Sequence, residues 1–333
     1  MQIRGERGNN RFIDKHEKLF CVINIVMEKI QSKKQVFSGA ATALITPFDK
    51  NREVDYEAFE RIVEKQKRAH VSAVVVNGTT GEASCLTFEE RIKNVAFVAE
   101  KAGGVFPVIA GTGTNCTTQT IEYTIAAAHA GADAVLVVLP YYNNPGEDGI
   151  IAHFYAVADA SPVPVIAYDV PSRTGMSLTV SAAKKLSLHP NIAGLKEADC
   201  SMNKVTAIAA ACGNALPVYS GCDGVITPLL AIGGRGVVSV LGNLFPNITR
   251  VICDAYFLGD CEKSARLQLF VRPLVGELFA FVSPSPVKAA MAHAGIIENV
   301  LRLPLTPIEG ADCEVLFDMC DKLFAEEEKC ALL

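Results

Sequence analysis

The chain has 333 residues, half of them apolar and a fifth charged, with a formal net charge of -5. That length exceeds the usual ~100–200 residues of a domain but suits a single α/β barrel of about 250, and the apolar share excludes wholesale disorder. The small negative charge leaves no concentrated basic face for nucleic acid, and no apolar run nears the ~20 residues of a membrane-spanning helix.

Residues 1–37 differ from the rest. Met1–Lys18 is polar and basic, Ile30–Gln35 is again charged, and no strand alternation lies between. The apolar stretch Leu19–Met27 is interrupted by Asn24 and lacks a small-residue cleavage site, so no signal peptide is expected. This segment reads as an appendage without assigned function, disordered or partly helical over Glu17–Ile30, and a start at Met27 would remove most of it. The eleven cysteines are scattered singly, mostly beside Ala, Val and Ile, with neither a C-x-x-C pair nor an H-E-x-x-H motif. They are expected to be reduced and packed as small apolar residues in a cytoplasmic protein, with no metal site.

From Ser38 a rhythm begins. Short runs of Val, Ile and Ala bounded by Gly, Pro or Asn predict buried strands at Gly39–Thr46, Ser72–Asn77, Pro107–Ala110, Ala134–Leu139, Val163–Tyr168, Ile192–Lys196, Pro217–Ser220 and Gly236–Val240. Their starts fall 19 to 35 residues apart, room for one crossover helix in each gap. Helix patterns fill those gaps. Asp55 is a plausible N-cap before Phe59, Ile62, Val63 and Gln66, and Thr87 with Glu90 has capping-box spacing. Thr117–Ala130, Gly149–Ala160, Leu178–Leu188 and Ser201–Ala211 follow. Near-continuous apolar strands imply a parallel sheet covered on both faces. A dinucleotide-binding open sheet is the competitor, but Gly111-Thr112-Gly113 is only half its fingerprint and follows the third strand. Eight regular βα units favour a closed (β/α)8 TIM barrel over residues 38–259. Beyond residue 246 only helix patterns follow, at Asn247–Leu258, Glu262–Phe279 (broken at Pro273), Pro286–Ala294 and Cys313–Glu328, and residues 260–333 form a helical C-terminal extension.

In this fold chemistry sits at the C-terminal ends of the strands. Those ends carry Gly78-Thr79-Thr80-Gly81-Glu82, Pro140-Tyr141-Tyr142-Asn143-Asn144-Pro145, Tyr168 through Gly175, and Gly194-Leu195-Lys196-Glu197-Ala198. Lys196 is the informative residue. An amine ending an apolar strand is desolvated, which favours its neutral form, and a neutral amine attacks a ketone to give a Schiff base. The alternative is a lysine that leaves the strand for solvent. Thr79, Tyr142 and Tyr168 are available to move protons, although Tyr141 and Tyr142 would equally pack at a subunit interface. The Thr79-Thr80-Gly81 turn offers backbone N–H groups to a carboxylate, and Arg173 suggests a second anion. Gly233-Gly234-Arg235-Gly236 looks like a phosphate cradle but precedes the eighth strand, on the opposite face, and is read as a turn.

These motifs, with Pro284-Ser285-Pro286-Val287-Lys288 and in this order over residues 38–328, resemble the dihydrodipicolinate synthase family of pyruvate-dependent Schiff-base aldolases, a group that also holds N-acetylneuraminate lyase. The resemblance implies that Lys196 binds pyruvate as a Schiff base. It makes Thr79, Tyr142 and Tyr168 a proton relay, with Tyr142 reaching into a neighbouring subunit. Thr80 and Val238 would meet pyruvate, and Arg173 the carboxylate of L-aspartate 4-semialdehyde. It further implies no cofactor and a homotetramer built from two dimers. Another pyruvate aldolase, acting on N-acetylneuraminate or a 2-keto-3-deoxy sugar acid, is the alternative; a non-catalytic binding barrel is another. The chain departs from the family at Asp169, usually Asn, and at Cys222, usually Asp. In relatives inhibited by lysine, Asn115 and Tyr141 match the inhibitor site, but Gln119 stands where a Glu binds it, and Phe88 and Arg91 replace histidines. A vestigial, lysine-insensitive site is expected.

Overall fold

The computed structural model describes residues 35–333. The helical stretch expected over Glu17–Ile30 lies outside the described residues. Eight parallel strands close into a barrel in sequence order: β1 (Gly39–Ala43), β2 (Ala73–Val76), β3 (Val108–Gly111), β4 (Ala134–Val138), β5 (Val165–Asp169), β6 (Ile192–Glu197), β7 (Val218–Ser220) and β8 (Gly236–Ser239). Each expected strand is present, with ends within three residues of those read from the sequence.

Closure depends on the β1–β8 seam, where Gly39 and Gly236 are paired. A Cβ on Gly236 would lie 1.8 Å from the Gly39 carbonyl oxygen, and both residues have positive φ. Only glycine meets both demands.

Residues alternate between two cores. Ala41, Val75, Ile109, Leu136, Ile166 and Val238 fill the barrel interior. Val74, Val76, Val135, Val137, Leu195 and Val237 point outward and meet the helices. That double burial is why the strands read as unbroken apolar runs. Before β1, Phe37 stacks on Tyr219 at 4.2 Å between ring centroids, and its carbonyl accepts the Tyr219 hydroxyl at 2.9 Å, closing the N-terminal mouth.

The crossover helices are α1 (Tyr56–Arg68), α2 (Phe88–Ala102), α3 (Thr117–His129), α4 (Gly146–Ala160), α5 (Val180–Ser187), α6 (Met202–Cys212), α7 (Ile226–Ala231) and α8 (Pro246–Phe257). Asp55 caps α1 through the Ala58 N–H, and Thr87 with Glu90 forms the reciprocal box that opens α2. A helical turn at Pro171–Thr174, too short to carry a periodic pattern, precedes α5. The extension adds α9 (Cys261–Leu278), α10 (Ser285–His293) and α11 (Glu314–Ala331), with α9 and α11 packed on α8. The break expected at Pro273 does not occur, and α9 runs through it. Leu267 and Val271 before the proline and Leu274, Val275 and Leu278 after it are buried on one face, so packing outweighs the lost hydrogen bond. Gly233-Gly234-Arg235 turns the chain into the N-terminal end of β8, which starts at Gly236, as expected.

Candidate active site

Lys196 faces the barrel interior because its neighbour Leu195 faces the helices and side chains alternate along a strand. Its register partners are Tyr168 on β5 and Tyr219 on β7. One pleat below, a Cβ on Gly194 would come within 3.0 Å of the Tyr219 ring, so a larger residue there would push that ring. The Lys196 amine lies 4.3 Å from the Tyr168 ring centroid and is 6% exposed. Burial pulls its pKa from 10.5 down to about 8; the Asp223 carboxylate opposes that shift and the Arg173 guanidinium adds to it. At pH 7 a group with that pKa is about one-tenth free amine, against a few parts in ten thousand for an ordinary lysine.

Tyr168 is buried beside it, and burial raises its pKa while a hydrogen bond with the Thr79 side chain and the nearby Arg173 charge work the other way. Thr79 belongs to the turn after β2, where Gly81 and Glu82 N–H groups close back on the Gly78 and Thr79 carbonyls. That turn is locked by the Thr46 hydroxyl on the Gly81 carbonyl at 2.7 Å. Thr79, Tyr168, Arg173 and Tyr141 line one cavity of about 320 Å³ at the C-terminal rim. Arg173 sits in the Pro171–Thr174 turn, and its Nη2 donates to the Ser283 carbonyl at 2.9 Å. Lys196 itself is not among the lining residues, but its amine lies against the ring of Tyr168, which is. Thr80 and Val238 are buried, the latter in the interior wall of β8.

Other expected residues are not gathered here. Tyr142 is 92% exposed, has φ +71, and is not among the residues that line this cavity. Asn115 pairs with Asn143, whose Nδ2 donates to the Asn115 carbonyl at 2.7 Å. Gln119 is exposed on α3. Arg91 is buried, its Nη2 donating to the Gly111 carbonyl at 2.9 Å and its guanidinium lying 3.9 Å over the Tyr123 ring. Its charge is therefore sheltered from salt.

Three features escaped the sequence. Asp223, in the turn after β7, is the buried counter-charge to Lys196; its Oδ2 accepts the Val240 and Leu241 N–H groups at 2.9 and 3.0 Å. Its place one turn beyond a barrel strand was the available signal. Second, the extension clasps the β2 turn. Lys288 of α10, fully buried, pairs with Glu82 and donates to the Val300 carbonyl, while the Arg302 N–H meets Glu82 Oε2 at 3.1 Å. Glu82 holds φ +53, so this anchoring fixes an unfavourable backbone next to Thr79. Third, Lys204 of α6 reaches Asp169 at 2.6 Å and Glu197 at 3.0 Å. This one cation is shared by two buried carboxylates.

The expectation of reduced cysteines is corrected at one place: Cys200 and Cys222 form a disulfide. The loops after β6 and β7 abut so closely that a Cβ on Gly221 would fall 2.6 Å from the Ala198 Cβ. That brings the two Cα atoms to 5.9 Å, within bridging range. Nothing in a 22-residue separation without a motif announced it.

The model of the dihydrodipicolinate synthetase family matches residues 36–319. The 4-hydroxy-tetrahydrodipicolinate synthase of Alkaliphilus oremlandii is 41% identical over 287 residues, 86% of this chain and 99% of that one. The structure of the 4-hydroxy-tetrahydrodipicolinate synthase from Methylacidiphilum fumariolicum SolV superposes with a TM-score of 0.85 at 36% identity, over 88% of this chain and 99% of that one. The lysine-bound enzyme of the same kind from Cyanidioschyzon merolae gives 0.81 at 35% identity, over 90% and 100%. With the expected closed barrel present and the family model and relatives matching most of its length, the chain belongs to the dihydrodipicolinate synthetase family.

Proposed function

We propose that this chain is a lyase that condenses pyruvate with L-aspartate 4-semialdehyde to give 4-hydroxy-tetrahydrodipicolinate, on the way to diaminopimelate and lysine. The observation that carries the reading is the desolvated Lys196 amine, set against Tyr168 at 4.3 Å and supplied with free base at neutral pH. Its nitrogen adds to the pyruvate ketone, and the carbinolamine loses water to form the imine. Tyr168, hydrogen-bonded to Thr79, moves the protons this needs at the departing oxygen. The imine loses a methyl proton to become an enamine, whose carbon attacks the aldehyde. The semialdehyde's amine then displaces Lys196 from the imine carbon, closing the ring and freeing the enzyme. The lysine is itself the electron sink, so the reaction as written calls for no cofactor.

Thr80 and the backbone of its turn hold the pyruvate carboxylate, and Val238 lines the wall behind it. Arg173 clamps the semialdehyde carboxylate from the rim. Tyr142 completes the relay of a neighbouring copy, which its exposure permits. A dimer is then the smallest active unit, and the tetramer is two such dimers. Among the described residues no helix is long and apolar enough to cross a membrane. A cytoplasmic location is proposed on the family resemblance alone. Borohydride added with pyruvate should fix the pyruvyl mass on the peptide containing Lys196. Trapping at another lysine, or none in active enzyme, would overturn the mechanism. Preferential cleavage of a sugar acid in parallel turnover would overturn the choice of second substrate.

A further inference from the structure

We propose that Cys200 and Cys222 form a thiol–disulfide exchange site for dithiols, through which redox state sets capture of the second substrate. This rests on the aldolase reading above. Cys200 is exposed and lies four residues beyond Lys196; Cys222 is buried and immediately precedes Asp223. The bond therefore joins the loop leaving the strand of the reacting amine to the loop carrying its counter-charge. Both loops are otherwise held from below: Asp199 N–H meets Glu197 Oε1 at 2.8 Å, and the Ser220 hydroxyl donates to the Cys222 carbonyl at 2.8 Å. Cys200 has φ +58, a conformation a β-carbon-bearing residue adopts at a cost, at the residue that carries the crosslink.

The fold does not need this bond. Structural disulfides serve small domains that lack a core, whereas this barrel has two extensive ones. No second disulfide occurs among the described residues. A single bridge between the rim loops that follow β6 and β7, with one sulfur-bearing residue open to solvent, is placed for exchange.

The step balances without any other reagent. A dithiol's thiolate attacks Cys200 Sγ, the S–S bond breaks, and Cys222 leaves as a thiolate that takes a proton. The second thiol attacks the mixed disulfide, closing the reagent's own disulfide and releasing Cys200 as a thiol. Two electrons and two protons pass from the dithiol to the cystine. Reduction frees the Cys200 loop beside the rim while leaving Lys196 in the barrel wall.

The test compares the full chain before and after dithiothreitol. Iodoacetamide under native conditions should label Cys200 and Cys222 only after reduction. Reduction should lower kcat/KM for the semialdehyde at least about fivefold, the low end for coupling between distinct sites, with borohydride trapping of pyruvate changed less than about twofold. A Cys200→Ser/Cys222→Ser variant should behave as reduced protein with or without dithiol. Labelling of both cysteines before reduction overturns the proposal. So does an unchanged kcat/KM on reduction, or a double variant that still responds to dithiol. If pyruvate trapping and condensation are absent in both states, the aldolase reading fails instead; the labelling pattern and a drop in Tm on reduction then still show whether the bridge exists.

Discussion

Lys196→Met should make the protein more stable while abolishing imine formation. The reasoning is linkage. In the unfolded chain the lysine titrates at 10.5, but burial in the fold brings it to about 8. At pH 7 both states carry the proton, so the fold bears the whole cost of a charge in the barrel wall. Each pKa unit corresponds to 1.36 kcal/mol, so a depression from 10.5 to about 8 costs about 3 kcal/mol. Methionine has nearly the same length and no charge, so it recovers most of that amount. Above pH 8 the folded lysine is neutral while the unfolded one still binds a proton, so wild-type stability rises through the window from 8 to 10.5. The advantage of the variant should accordingly be full at pH 7 and fall to about a quarter of that at pH 10. Guanidinium midpoints for the two proteins at both pH values measure it. A variant no more stable at pH 7, or an advantage unchanged at pH 10, would refute the idea that the reacting amine is held at the expense of the fold.

The same pKa predicts that pyruvate imine formation, read by borohydride trapping, climbs about tenfold per pH unit below 8 and levels off by pH 9; a plateau already at pH 6 would contradict it. His153, buried and held by Thr117 at 2.9 Å, is brought down to about 4 by burial. It stays neutral in the fold while the unfolded chain takes up a proton below 6.5, so about 3 kcal/mol should be lost between pH 6.5 and 4. His153→Gln should flatten that loss, and an unchanged pH dependence of the denaturation midpoint would count against it. Lysine should inhibit weakly or not at all, because Gln119 offers no carboxylate and Arg91 is a sheltered positive charge at the cavity. Losing one charge-assisted hydrogen bond of about 1.5–3 kcal/mol weakens binding roughly tenfold to a hundredfold. Strong inhibition at low lysine would defeat this, and Gln119→Glu should restore part of any response.

The barrel was legible because parallel strands buried on both faces must be apolar throughout, and turns must punctuate them. Lys196 was legible for the complementary reason: an amine closing the run Ile192–Leu195 has nowhere to go but the rim or the interior. Helix starts at Asp55 and Thr87 were legible because capping is local chemistry. Pairings across the chain were not. Glu82 and Lys288 meet only because the extension folds back over the β2 turn, and each reads as an ordinary surface charge in its own segment. Cys200 and Cys222 meet because two rim loops abut, a fact of strand order rather than of spacing. Pro273 misled for a related reason. Its local cost is real, but the buried face of α9 on either side overrides it.

The β1–β8 seam has one more consequence. A sheet closed in a ring has no outermost strand, so its backbone offers no unpaired ladder onto which another chain could add. Copies of this protein therefore cannot associate by extending one another's sheets, and partially ordered aggregates cannot be templated from the native barrel in that way. Association between subunits is confined to the loops and helices outside the sheet, where Tyr141 at the cavity and Tyr142 next to it in the chain are exposed. A change of assembly can then be made by altering a few surface side chains, with the barrel left as it is.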